Sequence, residues 1–406
     1  MAFVKNTYYR SFQAVFNVGA RCLYWRRPIP FSGVGSVQKI PELLKKEKVQ
    51  KVMVVTGPTV GKKLAPKILT ELDKAGIAYT LFAEVEANPS VNTVNRIQKL
   101  YLDTGCQGFI AIGGGSPMDA AKAAAARVVR PKTEVGKMAG LLRVGKKIPP
   151  YIAVPTTAGT GSEATRYAVI YYNGAKQSVT SESCIPGTVL LDSACLNSLP
   201  EYQRKATMMD ALCHGIESFW SVNRTAESRE FSRQAIRGVM THMEGYLANT
   251  AEGNAGMLRA AHTAGRAINI TQTTAGHAMC YKITSLFGVA HGHAAILCDR
   301  VLYPWMIQHA ELCTDPRGVD DLRGVLDEIG VCLGGHGAQD GAEKLNELFD
   351  ALHLAVPEAT KEQFETLRTS VNPVRLKNHP IRLDTETMDG LYHRILRSEM
   401  TILKRG

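Results

Sequence analysis

Asp210 and His214 are a pair of side chains whose types and spacing could bind a metal. They stand four residues apart in 203–219, a segment whose pattern predicts a helix. At that spacing two side chains project from the same helix face, one turn apart. A carboxylate oxygen and an imidazole nitrogen so placed could bind one divalent cation, or the pair could simply be hydrogen-bonded. Further ligands elsewhere in the chain decide between these two interpretations.

His277 and His291 are the candidates for those further ligands. Fourteen residues of unbroken helix would separate them by about 21 Å, which is too far for one ion with ligand bonds of about 2 Å. The chain must therefore fold back between them, and we expect the break at Gly288, with His291 at the start of the next helix. The alternative is two unrelated histidines of the core or surface, and for the neighbouring His293 both interpretations stay open.

Two polar loops could hold a phosphate. The first, 113–119 (GGGSPMD), follows a predicted strand and leads into the helical sequence AAKAAAA. Glycines let the backbone approach a ligand closely, and a helix N-terminus offers free N–H groups to a pyrophosphate. The second, 156–163 (TTAGTGSE), also follows a predicted strand. Ordinary turns with side-chain caps are the alternative for this second loop.

The elements that must position these residues alternate between strands and helices up to about residue 199. Strands are predicted over 52–56, 79–82, 108–112, 152–155 and 189–191, helices over 60–75 and 91–104, and a hairpin near 173–174. This alternation predicts a parallel sheet with helices on its faces. Both polar loops would then lie at the carboxyl edge of the sheet, where open α/β sheets bind ligands.

From about residue 200 the strand signals stop, and helices with short loops predict a second domain. The predicted fold class is therefore α/β plus all-α. A Rossmann-like parallel-sheet domain that binds a dinucleotide (31–199) precedes an all-helical metal-binding domain (200–406), which suits a chain of 406 residues. Residues 1–30 are interpreted as a packed N-terminal extension, with an amphipathic surface helix or a mitochondrial-type presequence as alternatives.

Composition excludes several classes of protein. Apolar residues make up 45% and charged residues 21% of the chain, as in soluble globular proteins. No apolar run reaches the length of a membrane span. The net charge of +11 is scattered, without the basic tail of a nucleic-acid partner, and favours anionic small molecules. Nine cysteines without a CxxC motif indicate reduced thiols and a cytoplasmic location.

Four motifs, in this order and at these separations, resemble those of the iron-containing (group III) alcohol dehydrogenase family. They are GGGSPMDAAK (113–122), PTTAGTGSEAT (155–165), DALCHGIESF (210–219) and the H-x13-H of 277 and 291. The resemblance extends from about residue 30 to the C-terminus. Two longer strings, TRYAVIYYNGAKQSV and GHAMCYKITSLFGVAHGHA, resemble the phosphonoacetaldehyde reductase branch. The resemblance implies a dehydroquinate synthase-like architecture with the site in the interdomain cleft, and a homodimer.

The resemblance also implies roles for individual residues. One Asp and three His bind a catalytic divalent metal in that family, here Fe²⁺ or Zn²⁺, and the matching residues are Asp210, His214, His277 and His291. The positions that match cofactor-binding residues are Gly114, Gly115, Ser116 and Asp119 for the pyrophosphate and neighbouring ribose, Thr156, Thr157, Thr160 and Ser162 along the dinucleotide path, Lys176 at the nicotinamide ribose, and Asn88 near the adenosine.

Three positions depart from the commoner family pattern. Gly57 stands where NAD-preferring relatives often carry Asp, so a 2′-phosphate meets less repulsion and NADP(H) should be accepted beside NAD(H). Tyr281 replaces a histidine thought to relay protons, although a phenol can still donate a hydrogen bond. Arg166 follows the second loop at a position that faces the nicotinamide in relatives, where it suits an anionic substrate or pairs with a carboxylate or a cofactor phosphate.

The resulting hypothesis is a metal-dependent NAD(P)(H) alcohol dehydrogenase or aldehyde reductase. Its substrate would be a small aldehyde or primary alcohol, with an anionic aldehyde such as phosphonoacetaldehyde as one candidate. Hydride transfer would use the metal as Lewis acid. The alternatives are a dehydroquinate synthase-like lyase that uses NAD and a metal, and a non-catalytic homologue.

Overall fold

The computed structural model of the chain describes residues 28–138, 140–141, 144–172, 175–371 and 373–398. The predicted extension 1–30 lies almost wholly outside these residues. The strands are β1 Ile29–Ser32, β2 Lys51–Thr56, β3 Ala78–Phe82, β4 Gly108–Gly113, β5 Gly140–Leu141, β6 Tyr151–Pro155, β7 Tyr167–Tyr172, β8 Ala175–Thr180, β9 Thr188–Leu191, β10 Glu358–Ala359 and β11 Arg397–Ser398.

Six of these strands form one parallel sheet in the order β1-β9-β6-β4-β2-β3. The central strands read as continuous apolar runs, because both faces of a parallel sheet are covered. Every residue of β4 is buried, as is β2 after its first residue. The predicted parallel sheet is confirmed, and β1 adds an edge strand that begins two residues before the predicted start of the domain.

The helices of this first part are α1 Ile40–Lys46, α2 Pro58–Lys63, α3 Ala65–Lys74, α4 Val91–Asp103 and α5 Gly115–Val129. The single helix predicted over 60–75 is wrong in one respect, because it is two helices divided at Leu64. Pro66 explains the division, since proline is tolerated in the first turn of a helix and not in its interior. The alanine-rich α5 is buried over most of its length and packs closely on β4.

A second, three-stranded sheet in the order β5-β8-β7 packs against α5 through β7. Its strands β7 and β8 pair antiparallel, with Tyr167 opposite Thr180 and Tyr172 opposite Ala175. This pair matches the predicted hairpin, whose turn residues 173–174 are outside the described part of the chain. β7 follows the second polar loop directly, so the sheet forms one wall of the cleft that the loops face.

The second part of the chain is helical. Its helices are α6 Glu201–Trp220, α7 Ala226–Leu247, α8 Ala251–Thr271, α9 Ala275–Phe287, α10 His291–Gln308, α11 Val319–Cys332, α12 Ala338–Ala351, α13 Lys361–Arg368 and α14 Thr385–Ile395. α6 packs against α7, α8 and α10 and is buried almost all round from Met208 onwards. The helix that carries Asp210 and His214 is therefore a central core element.

The helical part also contains a short parallel pair of strands, β10 with β11. The prediction of an all-helical second domain missed this pair. α14 ends at Ile395 because Leu396 adopts an extended conformation, and the chain then pairs with β10. Among the described residues, no helix is long and apolar enough to cross a membrane.

Candidate metal centre and cofactor cleft

Three helices bring the four predicted ligands together. Asp210 and His214 lie one turn apart in the middle of α6. His277 lies in the first turn of α9, and His291 is the first residue of α10. The chain reverses between α9 and α10 at Gly288, whose φ of 66° is the left-handed conformation that favours glycine after a helix. Two helix N-terminal turns are thus directed at the middle of α6.

The three imidazoles turn their Nε2 atoms towards one oxygen of Asp210. Nε2 of His277 lies 3.4 Å from Oδ1 of Asp210, and the Nε2 atoms of His214 and His291 each lie 4.0 Å from it. The rings of His214 and His277 stack with their centroids 4.5 Å apart. Ligand atoms bound to one ion at about 2.0–2.2 Å are separated by distances of this order. One carboxylate and three imidazoles are a donor set that fits a divalent transition metal.

Glu217 is a residue of this site that the sequence analysis missed. It is fully buried on α6, one turn after His214, and its Oε1 bonds Nδ1 of His277. The same carboxylate accepts bonds from the backbone N–H of His277 at 3.0 Å and from the hydroxyl of Thr274 at 2.6 Å. A carboxylate behind a metal-binding imidazole fixes its tautomer and orientation. The signal for it is the i+3 spacing of Glu217 after His214 in DALCHGIESF.

Burial shifts the pKa of each of these side chains towards its uncharged form, and the charges of neighbouring groups oppose that shift. Burial would raise the pKa of Asp210, but the imidazoles of His214, His291 and His277 outweigh it and hold that pKa well below its ordinary value. Burial lowers the pKa of His214 to about 4 and that of His291 well below its ordinary value. Burial would also lower the pKa of His277, but the charge of Glu217 outweighs it and raises that pKa. At neutral pH the site therefore has a charged carboxylate at Asp210 and uncharged imidazoles at His214 and His291. The imidazole of His277 is hydrogen-bonded to Glu217.

A cavity of about 450 Å³ lies between the ligand helices and the polar loops of the first part. The residues predicted to bind metal, cofactor or substrate that line it are Asn88, Gly115, Ser116, Asp119, Thr160, Ser162, Lys176, Asp210, His214, His277, Tyr281 and His291. The cavity thus has the ligand atoms on one wall and the loop residues on the other. Lys176 is the only lysine or arginine among the described residues that line it.

Five other predicted site residues are not among those that line this cavity: Gly57, Gly114, Thr156, Thr157 and Arg166. Arg166 is buried, and its Nε and Nη2 atoms donate to the hydroxyl of Tyr167 at 3.1 and 3.0 Å. Tyr167 itself lines the cavity. The structure therefore places Arg166 one side chain away from the cavity wall.

The two polar loops lie against each other at the carboxyl edge of the sheet. A Cβ at Gly114 would come within 3.1 Å of Oγ1 of Thr157, and one at Gly115 within 3.2 Å of Cγ2 of Thr160. Asp119 accepts a bond from the hydroxyl of Ser162 at 2.6 Å. The glycines thus allow a close approach of the loops, and the side chains at the start of α5 are tied to the second loop.

Lys122 stabilises the contact between α5 and the second polar loop through hydrogen bonds. Its side chain is fully buried, and its ammonium group donates to the backbone carbonyls of Ser162, Thr165 and Tyr167 and to two hydroxyls. Burial lowers the pKa of Lys122, although the charge of Asp119 opposes that shift. Lys122 is the last residue of the first motif, GGGSPMDAAK, and no role was predicted for it. The structure shows that it ties α5 to the whole segment between the second loop and β7.

Tyr281 lies between the predicted ligand His291 and a lysine. Its ring stacks on His291, with centroids 5.4 Å apart and planes 6° from parallel. The ammonium of Lys176 lies 3.5 Å from the centroid of the same ring. A cation over an aromatic face is attracted by the ring quadrupole. Tyr281 therefore supports His291 from the side and holds Lys176 at the cavity wall.

His293 has a defined structural role, which the sequence left open. Its Nδ1 lies 3.1 Å from the hydroxyl of Tyr202, and its Nε2 lies 2.9 Å from the carbonyl oxygen of Ala355. The hydroxyl of Tyr202 accepts from the backbone N–H of Ala290 at 2.9 Å. Since a carbonyl only accepts, Nε2 carries the proton. This chain of hydrogen bonds fixes the start of α10, where His291 lies.

Cys213 and Cys280 are buried beside the ligands. Burial raises the pKa of both thiols, to about 12 for Cys280. Sγ of Cys280 lies 3.6 Å from Nδ1 of His291. Both side chains pack as small apolar groups.

Two family models match the chain over most of its length. The model described as iron-containing alcohol dehydrogenase matches residues 29–193. The model described as the C-terminal part of the Fe-containing alcohol dehydrogenase family matches residues 205–396. The boundary between the two matches lies at the start of the helical part.

Individual proteins are similar to the chain over comparable lengths. A phosphonoacetaldehyde reductase of Streptomyces viridochromogenes is 35% identical over 306 residues, which cover 72% of this chain and 76% of the relative. A sulfoacetaldehyde reductase of Bilophila wadsworthia is 31% identical over 66% of this chain and 70% of the relative. The solved structure of a sulfoacetaldehyde reductase from Bifidobacterium kashiwanohense in complex with NAD+ has a TM-score of 0.80 at 24% identity, over 92% of this chain and 98% of that one.

Proposed function

Because the chain belongs to the iron-containing alcohol dehydrogenase family, an oxidoreductase family, we propose that it is a metal-dependent, NAD(P)(H)-linked aldehyde reductase. Its substrate is a small aldehyde, or in the reverse direction the primary alcohol. The observation that carries the proposal is the convergence of three Nε2 atoms on Oδ1 of Asp210, across one cavity from the loop residues at the start of α5.

The ligand residues Asp210, His214, His277 and His291 would hold Fe²⁺ or Zn²⁺, both of which suit this donor set. When bound, such a metal acts as a Lewis acid on a carbonyl oxygen, and a nicotinamide cofactor exchanges the hydride. Glu217 keeps the Nδ1 proton of His277, so that Nε2 is the atom free to bind. His291 reaches the cavity, and Tyr281 holds its ring in place.

The cofactor-binding residues are proposed in two groups. Those that line the cavity are Asn88, Gly115, Ser116, Asp119, Thr160, Ser162 and Lys176. Those behind the wall, Gly114, Thr156 and Thr157, would set the path of the loops. The backbone N–H of Asn88 donates to the hydroxyl of Ser116 at 3.2 Å, which joins the loop before α4 to the start of α5. The N-terminus of α5 would face the pyrophosphate.

Tyr281 is proposed to donate a hydrogen bond or a proton in the reaction, since a phenol can do so and Tyr281 lines the cavity beside His291. Arg166 is proposed to act through Tyr167, whose hydroxyl it holds. The proposed role of Tyr281 therefore does not require the histidine that many relatives carry at this position.

Gly57 supports the use of NADP(H) beside NAD(H). It is the residue before α2, and a Cβ there would lie 3.2 Å from the carbonyl oxygen of Val85. Gly57 supplies no carboxylate that would repel a 2′-phosphate at the end of β2. Lys62 and Lys63, exposed at the end of α2, would pair with that phosphate.

An anionic aldehyde is the proposed substrate class. The cavity has the ammonium of Lys176 in its wall, and two of the relatives are named as reductases of phosphonoacetaldehyde and sulfoacetaldehyde. A cation in a cavity favours an anionic ligand. Phosphonoacetaldehyde is therefore the first compound to assay.

The proposal is tested by following NADPH and NADH oxidation with anionic and neutral short aldehydes, on protein loaded with Fe²⁺ or with Zn²⁺. We expect turnover that requires the metal, with both cofactors used and the anionic aldehydes preferred. A strong preference for NADH would remove the inference from Gly57. Absence of turnover with every aldehyde on metal-loaded protein would overturn the proposed activity.

A further inference from the structure

Gln272 lines the cavity in a backbone conformation that is unusual for its residue type. It follows α8 directly, with φ of 62° and ψ of 172°, and its side chain is exposed at the cavity. This region of φ and ψ is open to glycine and costs other residues conformational energy. Such residues persist where the surrounding structure holds them, and they cluster at ligand sites.

The orientation of the neighbouring amides follows from two backbone carbonyls. Nδ2 of Asn223 donates to the carbonyl oxygen of Thr271 at 3.3 Å, and Nδ2 of Asn378 donates to that of Thr273 at 3.3 Å. A carbonyl only accepts, so each contact identifies the nitrogen end of its amide. Nδ2 of Asn223 also donates to Oδ1 of Asn378 at 2.9 Å, which agrees with both assignments.

This chain of amides fixes which end of Gln272 is available to a ligand. Nδ2 of Asn378 donates to Oε1 of Gln272 at 2.9 Å. The oxygen of Gln272 therefore already accepts one hydrogen bond, whereas both hydrogens of its NH₂ group are available. Within the described part of the chain, no group accepts a hydrogen bond from that nitrogen. The wall of the cavity at Gln272 thus presents donors.

We propose that Gln272 determines substrate specificity by donating a hydrogen bond to an oxygen of the substrate's tail, and that it selects small aldehydes with a phosphonate, sulfonate or carboxylate tail. This inference rests on the proposed function and names the residue that recognises the tail. An NH₂ group can only donate a hydrogen bond, so its partner must be an acceptor. A bond to an anionic oxygen is about twice as strong as a neutral one, and an apolar tail offers the donor no acceptor. Lys176 supplies a positive charge to the same cavity.

Two variants test the donor, and only the first keeps the contact to Asn378. Gln272→Glu keeps an oxygen for Nδ2 of Asn378 and exchanges the NH₂ group for an acceptor, and Gln272→Leu removes both. With phosphonoacetaldehyde and sulfoacetaldehyde, kcat/KM should fall about 100-fold for Gln272→Glu and about 10-fold for Gln272→Leu. With propanal it should change less than about threefold, and the KM of the cofactor should not change. Gln308→Glu, exposed at the far end of α10, is the matched control for the added charge.

A binding measurement separates failure of this inference from failure of the proposed activity. Ethylphosphonate and ethanesulfonate are titrated calorimetrically into metal-loaded wild type, Gln272→Glu and Gln308→Glu, and neither titration requires turnover. Weaker binding in Gln272→Glu alone supports the donor role even if no aldehyde is reduced. Equal binding by wild type and Gln272→Glu, no binding by wild type, or equal kinetic losses on propanal and phosphonoacetaldehyde would overturn the inference.

Discussion

At the scale of single residues, Glu217 controls the site without lining the cavity. Its carboxylate holds Nδ1 of His277 and is itself held by Thr274. Replacing Glu217 by Gln removes the charge behind the imidazole, and partners of this kind contribute about 10- to 100-fold to metal affinity. We therefore expect the metal Kd of Glu217→Gln to rise by about that factor, as measured by competition with a chelator.

Glu201→Gln is the control for this experiment, because Glu201 lies on the same helix at its exposed first turn. Its metal Kd should stay at the wild-type value. An unchanged Kd in Glu217→Gln would show that the orientation of His277 does not depend on this carboxylate.

Tyr281 combines two contributions that a single substitution separates. Tyr281→Phe keeps the ring that stacks on His291 and carries Lys176, and removes only the hydroxyl. If the hydroxyl transfers a proton, kcat should fall about 100-fold, the lower range for a general acid or base. The measurement is kcat across pH with metal-loaded enzyme. Full activity in the variant would leave Tyr281 with a supporting role only.

The sequence predicted which residues come together better than it predicted their support. Helical spacing places Asp210 and His214 on one face, the distance limit between His277 and His291 predicts the fold-back at Gly288, and the family resemblance implied the four as a ligand set. Glu217 was not found, because its i+3 spacing after His214 is equally compatible with a carboxylate on a helix surface. Only the fold, which brings the first turn of α9 to Glu217, shows that this carboxylate meets His277. Arg166 could not be placed from sequence, because the direction of its side chain depends on the neighbouring Tyr167.

At the scale of elements, the closest approach of α10 to α6 sets the distance between His291 and Asp210. A Cβ at Gly292 would lie 2.6 Å from Cβ of Asp210, so only glycine allows this contact. Gly292→Ala should push the start of α10 away from α6. Because displacements of about 1 Å at a site can cost about 100-fold in rate, we expect a loss of kcat of that order and weaker metal binding.

Gly324→Ala is the control for Gly292→Ala, because nothing lies within 4 Å of a Cβ at Gly324 on α11. That variant should keep wild-type activity and gain slightly in stability, since alanine favours a helix more than glycine does. Wild-type kinetics and metal binding in Gly292→Ala would mean that the helices adjust without moving the ligands.

The sequence predicted which elements exist and missed how some of them end. The buried strands are legible as apolar runs, and the cavity follows from the position of the loops at one sheet edge. The pairing of β10 with β11 was missed, because two residues of strand give no periodic signal and the pair depends on a contact between distant parts of the chain. The division between α2 and α3 was overlooked although Pro66 marks it.

At the scale of the whole molecule, a metal bound at the proposed ligands would add a link between three helices. α6, α9 and α10 each carry at least one of these predicted ligands, and hydrogen bonds of Glu217 and Tyr202 already join them. A ligand that binds the native state alone stabilises it by about 2.7 kcal/mol at a hundredfold excess over its Kd. We expect chelation to lower the melting temperature and metal addition to restore it, both followed by calorimetry. A melting temperature that is independent of the metal would contradict a native-state site.

The assembly remains a prediction. The resemblance to the family predicts a homodimer, and light scattering of the purified full chain should give twice the chain mass of 44.2 kDa. A mass equal to one chain at micromolar concentration would contradict it.

The buried cysteines allow local opening of the structure to be measured by their rates of reaction with a thiol reagent. Of the eight that the structure describes, only Cys313 is partly accessible. A thiol reagent added to native protein should therefore label Cys313 quickly, while the other seven react at the rate at which their surroundings transiently open. Cys280, packed behind His291, would then time the opening of the ligand cluster separately from that of Cys184 beside Lys122. Isotope-coded labelling read by mass spectrometry would turn these side chains into a map of local stability.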